Sequence, residues 1–238
     1  MNAWREDCLN RLTVSAGVST AEVLKELASI VHLLGFDYCS YVLRVPFPLS
    51  SPSVTWASTY PDAWLEHYFA HNYLEIDPLI QRTSVDLSPV VWTDEVFDSQ
   101  PAFWEEARSH GVRHGWALAT HGKHMTTGML SLARSHQIVT QAELAETEMK
   151  LVWLSHLVHG LIGTTEIQRL MPTPESELTA REAEVLRWSA AGKTAEDIGR
   201  ILGIAERTVT FHITSSLTKL DVANKTQAVA KALLLGML

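Results

Sequence analysis

Apolar residues recur along this chain at two spacings, and the places where the spacing changes divide it. In Thr20 to Leu34, Val23, Leu24, Leu27, Ile30, Val31 and Leu34 fall on one side at the helical period, with Gly35 as a stop. A shorter helical pattern covers residues 1–12. Pro61 opens another helix, since proline suits a first turn, and Asp77-Pro78 opens one more. Residues 99–110 read as an amphipathic helix carrying Phe103, Trp104 and Ala107. Runs of strand character lie between these patterns. Phe36 to Val45 is β-rich and ends at Pro46 and Pro48, where a strand cannot continue in mid-sheet. Ser53 to Ser58 is a second candidate, and 113–121 and 125–134 form a pair joined by a tight turn around Gly122-Lys123. In the last run Met125, Thr127, Met129, Ser131 and Ala133 alternate with Thr126, Gly128, Leu130 and Leu132, which assigns them to opposite faces. Thr140 to Leu170 is a long helical stretch weakened at Gly160 and Gly163. The mixture predicts, over residues 1–170, an α/β/α sandwich around one antiparallel sheet.

Beyond that point only helical patterns remain. Residues 171–176, Met-Pro-Thr-Pro-Glu-Ser, predict a stiff exposed linker, and a second domain occupies 177–238. Thr179 with Glu182, and Thr194 with Asp197, have capping-box spacing, so each starts a helix. Gly192 and Gly203 mark the stops. In the third pattern, Ile204 to Leu220, the residues Val209, Ile213, Leu217 and Leu220 form a buried stripe. Arg207, Thr210, Thr214 and Thr218 fall on or near the other side. A short capped helix, a tight turn and a longer helix with a polar face is the helix-turn-helix arrangement, whose exposed face can meet base edges and phosphates.

Charge sharpens this picture. Of the net −8, residues 176–238 carry eight Lys/Arg against seven Asp/Glu, a balance of +1, so residues 1–175 hold −9. Phosphate contacts dominate DNA affinity, so one copy of so weakly basic a module binds weakly, and two copies a helical turn apart are expected. At 46% hydrophobic and 19% charged, the chain has a globular composition with no apolar run of membrane-spanning length. Its acidic N-terminus does not match a signal peptide, and Cys8 and Cys39 imply no disulfide framework, so a cytoplasmic location is expected.

The stretch from Thr179 through Leu186, Gly192-Lys193-Thr194, Ile198, Ile201, Thr208-Val209, His212, Lys219-Leu220 and Asn224-Lys225 resembles the C-terminal domain of LuxR-type transcription regulators. The resemblance implies four helices, the third in the major groove and the last, Asn224 to Leu238, pairing with its twin in a homodimer. DNA contacts are then expected from Lys193, Thr194, Arg207, Thr210, His212, Thr214 and Lys219.

The first domain is dense in amphipathic aromatics, and Asp77 sits there in YLEIDPLIQ, where it can also cap a helix. Its runs STYPDAWLEHYFAHNYLEIDPLIQ, PVVW, FWEEARSHGVRHGW and GMLSLAR resemble the N-acyl-homoserine-lactone receptor domain of the quorum-sensing branch, nearer the LasR and QscR kind than the founding members. By matching position, the resemblance implies that Trp64 donates to the lactone carbonyl and Asp77 accepts from the ligand amide. Tyr60 and Ser131 would hold the amide carbonyl, Trp92 and Trp116 would pack near the lactone ring, and Ser40 would meet a 3-oxo group or a water. Tyr68, Phe103, Val42, Ile80 and Met129 would line the acyl channel. No cofactor, metal or membrane is implied. The implied activity is ligand-controlled transcription through a palindromic, inverted-repeat site on double-stranded DNA.

Other chemistries fit less well. Gly192-Lys193-Thr194 imitates the end of a phosphate loop, but position 187 is Arg where that loop needs glycine. Ser131 lies in GMLSL, without the second glycine of a hydrolase elbow. His110, His114, His121 and His124 crowd together without a thiol or carboxylate partner at fixed spacing. A phosphorylated receiver domain lacks its acidic pair and lysine, and a lactonase lacks a metal set or a nucleophile triad.

Overall fold

A computed structural model describes residues 2–17, 19–82, 86, 88–172 and 176–238. The chain forms two compact units: residues 1–45 with 54–167, and residues 168–238 with 46–53. The first division falls inside the last long helix of the sensor-like region, slightly before the expected linker. Thr173, Pro174 and Glu175 of that linker lie outside the described residues.

The first unit is built on a five-stranded antiparallel sheet in the order β2-β1-β5-β4-β3. Its strands are β1 (Tyr38–Val45), β2 (Ser53–Ser58), β3 (Val90–Val91), β4 (His114–His121) and β5 (Thr127–Arg134). The register pairs Ser40 with Ser131, Val42 with Met129 and Arg44 with Thr127 between β1 and β5, and Ala117 with Ser131 between β5 and β4. Paired residues project to the same side of an antiparallel sheet. The sheet therefore has one face bearing Ser40, Val42, Met129, Ser131 and Ala117, and another bearing Cys39, Tyr41, Leu130, Leu132 and Trp116.

The second of these faces is covered by α2 (Thr20–His32) and α6 (Gln141–Leu170), with α1 (Asn2–Ala16) packed on α2 and touching α6 through Trp4 and Trp153. There the Cys39 thiol meets the Leu24 carbonyl of α2, and His159 of α6 is wedged under the sheet. Tyr41, Thr120 and Thr126 all bond the His159 ring, at 2.8, 2.9 and 3.2 Å. Burial lowers its pKa to about 4, so it sits there as a neutral imidazole. The first face is covered by α3 (Asp62–Ala70), α4 (Pro78–Arg82), α5 (Pro101–Ser109) and two short 3-10 turns, Tyr73–Glu75 and Asp94–Phe97. These layers make the expected sandwich.

Three local features add to the expected pattern. α6 is continuous through Gly160 and Gly163, because neither is forced to break: Gly160 faces open space and Gly163 keeps ordinary distance from His159. β4 and β5 are joined by a 3-10 turn, Lys123–Met125, in which His124 and Met125 both have positive φ. β3 is only two residues long, too short for any alternation to announce it.

The second unit holds four helices: α7 (Ala180–Ala190), α8 (Ala195–Leu202), α9 (Glu206–Leu220) and α10 (Lys225–Leu234). Both capping boxes form, Thr179 with Glu182 and Thr194 with Asp197. Gly203 closes α8 with φ of 67°. A Cβ on Gly199 would come within 2.8 Å of the Ile204 carbonyl, so only glycine lets the turn close onto α8. Val185, Ile198 and Val209 form one small core, and Leu186, Leu220, Ala228 and Ala232 another.

Candidate functional site

Between the Ser131 face of the sheet and helices α3 to α5 lies an apolar cavity. Proline at the start of α3 and the α4 opening at Pro78 set two helices across the sheet, so that Trp64 and Tyr68, one turn apart, point inward together. Trp64 packs against Phe103 and Tyr68, each at 5.7 Å between ring centroids. Trp104 stacks on Phe97 at 4.2 Å and donates its indole N–H to Asp94. Trp92 lies tight against β4: a Cβ on Gly115 would come within 2.5 Å of its ring, so that glycine admits it.

The polar groups of the cavity are few and unusual. Asp77 is buried, with Oδ1 accepting from the Leu79 backbone N–H at 2.9 Å and Oδ2 from the Tyr68 hydroxyl at 3.0 Å. It is thus both the cap of α4 and a wall of the cavity. Burial pushes its carboxyl up to about 6, against the pull of those hydrogen bonds. Three other buried atoms, the Tyr60 hydroxyl, the Trp92 Nε1 and the Ser131 hydroxyl, have no hydrogen-bond partner among the described residues. Burial and the Asp77 charge push the Tyr60 phenol well above its ordinary value. Ser131 is close enough to ease that slightly, but no hydrogen bond of sound geometry joins them. Each orphaned group costs on the order of 1–3 kcal/mol. The enclosed free space is about 60 Å³. That is room for a few waters, whereas a drug-sized ligand needs several hundred Å³, so the aromatic walls must part to admit one.

The structure brings Ser40, Tyr60, Trp64, Tyr68, Asp77, Trp92, Phe103 and Ser131 to this one cavity, with Val42, Ile80 and Met129 in its wall. Trp116 is not among them. It pairs with Leu132 on the opposite sheet face, is fully buried, and donates Nε1 to Glu148 of α6 at 3.3 Å. The expected packing of Trp116 near a lactone ring is therefore corrected to a contact between sheet and α6. Phe97 and Leu74 line the cavity without having been singled out, because each sits in a short 3-10 turn with no period to read, and Leu79 lines it from the five-residue α4. Behind the wall, Glu106 of α5 accepts from the Tyr73 hydroxyl and bonds His67 at 2.7 Å, tying α5 to α3. Among the described residues no three metal-ligating side chains converge.

In the second unit, α9 exposes Arg207, Thr210, Phe211, Thr214 and Thr218 on one side. Phe211 is 67% exposed, an apolar ring on an otherwise polar face. It lies off the apolar stripe of Val209, Ile213, Leu217 and Leu220 and was not among the expected DNA contacts. Lys193 is exposed, and His212 is half-buried. Thr194 is exposed, but its hydroxyl is held by the cap, donating to Asp197 Oδ2 at 2.7 Å. Lys219 is a correction. Its ammonium bonds the buried Glu182 at 2.7 Å and the Glu177 carbonyl at 3.1 Å, so it is internal to the domain and not free for a phosphate. Burial alone would raise the Glu182 carboxyl, but bonds from Lys219, Ser215 and Thr179 hold it at about 2.

Residues 19–161 match the model of the autoinducer binding domain, and residues 176–232 that of bacterial regulatory proteins, luxR family. The transcriptional activator protein SolR of Ralstonia nicotianae is 42% identical over 217 residues, 91% of this chain and 92% of its own. The transcriptional activator protein AnoR of Acinetobacter nosocomialis is 39% identical over 241 residues, the full length of both. The crystal structure of Escherichia coli SdiA superposes with a TM-score of 0.82 at 32% identity, covering 99% of this chain and 98% of that one. SdiA in complex with octanoyl-rac-glycerol gives 0.79 at the same identity, covering 98% and 94%.

Proposed function

The chain belongs to the LuxR family of bacterial regulatory proteins, and on that footing we propose that its autoinducer is an N-acyl-homoserine lactone, which controls its binding as a homodimer to an inverted-repeat operator. The single observation that carries this reading is the set of orphaned polar groups in an apolar cavity. An acylated lactone has an amide donor and carbonyl acceptors at one end and an apolar tail at the other. The Asp77 carboxylate keeps unused lone pairs that can accept the amide N–H. The Tyr60 and Ser131 hydroxyls can donate to the amide carbonyl, and the indole N–H of Trp64 to the lactone carbonyl. Trp92 closes the head end and brings a further free N–H. The apolar walls take the tail, at about 0.8 kcal/mol per buried methylene. SdiA, a relative, is described with an octanoyl glycerol, also a small polar head on an acyl tail.

On the DNA side, Arg207, Thr210 and Thr214 stand on the exposed face of α9, with Lys193 near the start of α8. A balance of +1 over residues 176–238 supports the need for two copies. A homodimer would place two α9 helices about one DNA turn apart, near 34 Å. We read the site as that of a cytoplasmic regulator: its carboxylate and hydroxyls serve as hydrogen-bonding groups for a ligand head, as suits a chain whose relatives are transcriptional activators.

The test pairs two assays on the full chain with a long-chain acyl-homoserine lactone: retardation of inverted-repeat DNA, and recovery of intact lactone. Ligand-dependent DNA binding with the lactone unchanged is expected. Ring opening without DNA binding would reverse the reading.

A further inference from the structure

The face that α9 turns outward is less polar than its composition. The buried side of the helix is fixed by Val209, Ser216 and Leu220, all fully buried. At about 100° per residue, Phe211 falls within about 20° of the line opposite them. The exposed ring therefore stands in the middle of the outward face and not at its edge. Arg207 lies one turn before it and Thr214 one turn after, both exposed. Two of the hydroxyls around it are committed to the helix itself. Thr210 donates to the Glu206 carbonyl at 3.2 Å, and Thr218 to the Thr214 carbonyl at 3.3 Å. With those protons used, both threonines offer a methyl group and an accepting oxygen, but no donor. The Phe211 ring also lies edge-on to His212, with 5.7 Å between ring centroids, which restrains it.

We infer that Phe211 is a specificity-determining residue, and that it reads the C5 methyl group of a thymine in the operator. The inference rests on the reading of α9 as the helix that enters the major groove, and adds what it recognises there. Single apolar side chains are common on protein surfaces, so exposure by itself decides nothing. The position decides. A recognition helix meets base edges with the outward face that Phe211 centres. Of the groups that bases display in the major groove, the thymine methyl is the apolar one; the rest are hydrogen-bond donors and acceptors. A phenyl ring set against a donor or acceptor strips its water and returns no hydrogen bond. Set against the methyl, it removes two apolar surfaces from water at once.

The test starts from duplexes that the full chain selects from a random-sequence pool, in the presence and in the absence of a long-chain acyl-homoserine lactone. In the best-retained duplex each thymine is replaced in turn by uracil, which removes the methyl and leaves the hydrogen-bonding groups in place. The wild type should lose about fourfold in affinity at a thymine under α9, the 0.8 kcal/mol of one buried methyl converted, and little elsewhere. Phe211→Ala should bind the thymine duplex more weakly and show no penalty for uracil at that position. Phe211→Leu, which keeps an apolar group, should restore part of the penalty. A wild type indifferent to uracil at every position, or a selected sequence without thymine, overturns the inference, whether or not the variants fold. So does a Phe211→Ala protein that keeps the wild-type penalty. A pool that yields no preferred sequence in either condition overturns the DNA reading of α9 itself, and the inference with it.

Discussion

The hydroxyl of Tyr68 donates to Asp77 Oδ2 at 3.0 Å, while Asp77 Oδ1 accepts from the Leu79 backbone at 2.9 Å. One carboxylate is therefore asked to cap a helix, receive a phenol and line an apolar cavity. Its pKa, raised by burial to about 6, records the strain of holding charge there. The unfolded value lies near 4, so the folded chain binds this proton more tightly. By linkage the ligand-free fold is favoured in acid and loses up to about 3 kcal/mol as pH rises from about 4 to 6. A ligand amide N–H favours the carboxylate, so ligand stabilisation should be largest above pH 6 and shrink as pH falls through it. Melting curves with and without lactone at about pH 5 and 7.5 check this. An equal ligand shift at both would contradict it.

Tyr60→Phe separates cost from use. The hydroxyl is buried and unpartnered, so deleting it should leave the ligand-free protein as stable as before or more stable, by up to about 1–3 kcal/mol. The same change should weaken lactone binding by about 1 kcal/mol, roughly fivefold. A destabilised empty protein with unchanged affinity would mean that the hydroxyl is structural.

Lys219→Ala should act on the fold. It leaves Glu182, which is 5% exposed, without its ammonium partner. The expected loss in the second unit is roughly 2–3 kcal/mol, less than for a wholly buried pair because Lys219 is partly exposed. The Glu182 pKa, depressed to about 2, makes the pair's contribution full above about pH 4.5 and lost as pH falls toward 2. Denaturant titration of the full chain at neutral and acid pH reads both effects.

On α9, Phe211→Ala and Thr214→Ala should leave the fold intact, since both side chains point to solvent. Each should reduce discrimination at a single operator position, by about 1–3 kcal/mol at most; for Phe211 the contact expected is with a thymine methyl. Arg207→Ala should instead weaken all sequences alike and lower the salt slope by about one. Binding measured across operator variants and salt distinguishes them.

The strands and long helices could be read from the chain because their patterns are long. Ser53–Ser58 has the expected bounds, and β1, β4, β5 and α6 differ from expectation by no more than two residues at either end. The capped helices of the second unit were legible because capping boxes and stop glycines are local signals. What could not be read depended on tertiary choice. β4 is buried on both faces, from Gly115 to Thr120, so burial could not tell Trp116 from Ala117, and only pairing with Leu132 and Ser131 separates them. Lys219 looked free because its partner Glu182 lies 37 residues away. The turns carrying Leu74 and Phe97 are three and four residues long and have no period at all.

The claim that the orphaned groups and Asp77 form a lactone head site is tested most directly by the melting temperature of the wild type and of Asp77→Asn, each with saturating twelve-carbon acyl-homoserine lactone. At about a hundred times the dissociation constant, ligand should stabilise the wild type by about 2.7 kcal/mol. For a domain of this size that is a rise of roughly 5–10 °C. In Asp77→Asn most of that rise should vanish, because a neutral carboxamide with one accepting oxygen replaces the charged carboxylate whose two oxygens already serve Tyr68 and Leu79. An equal rise in both proteins, or none in the wild type, would contradict the account.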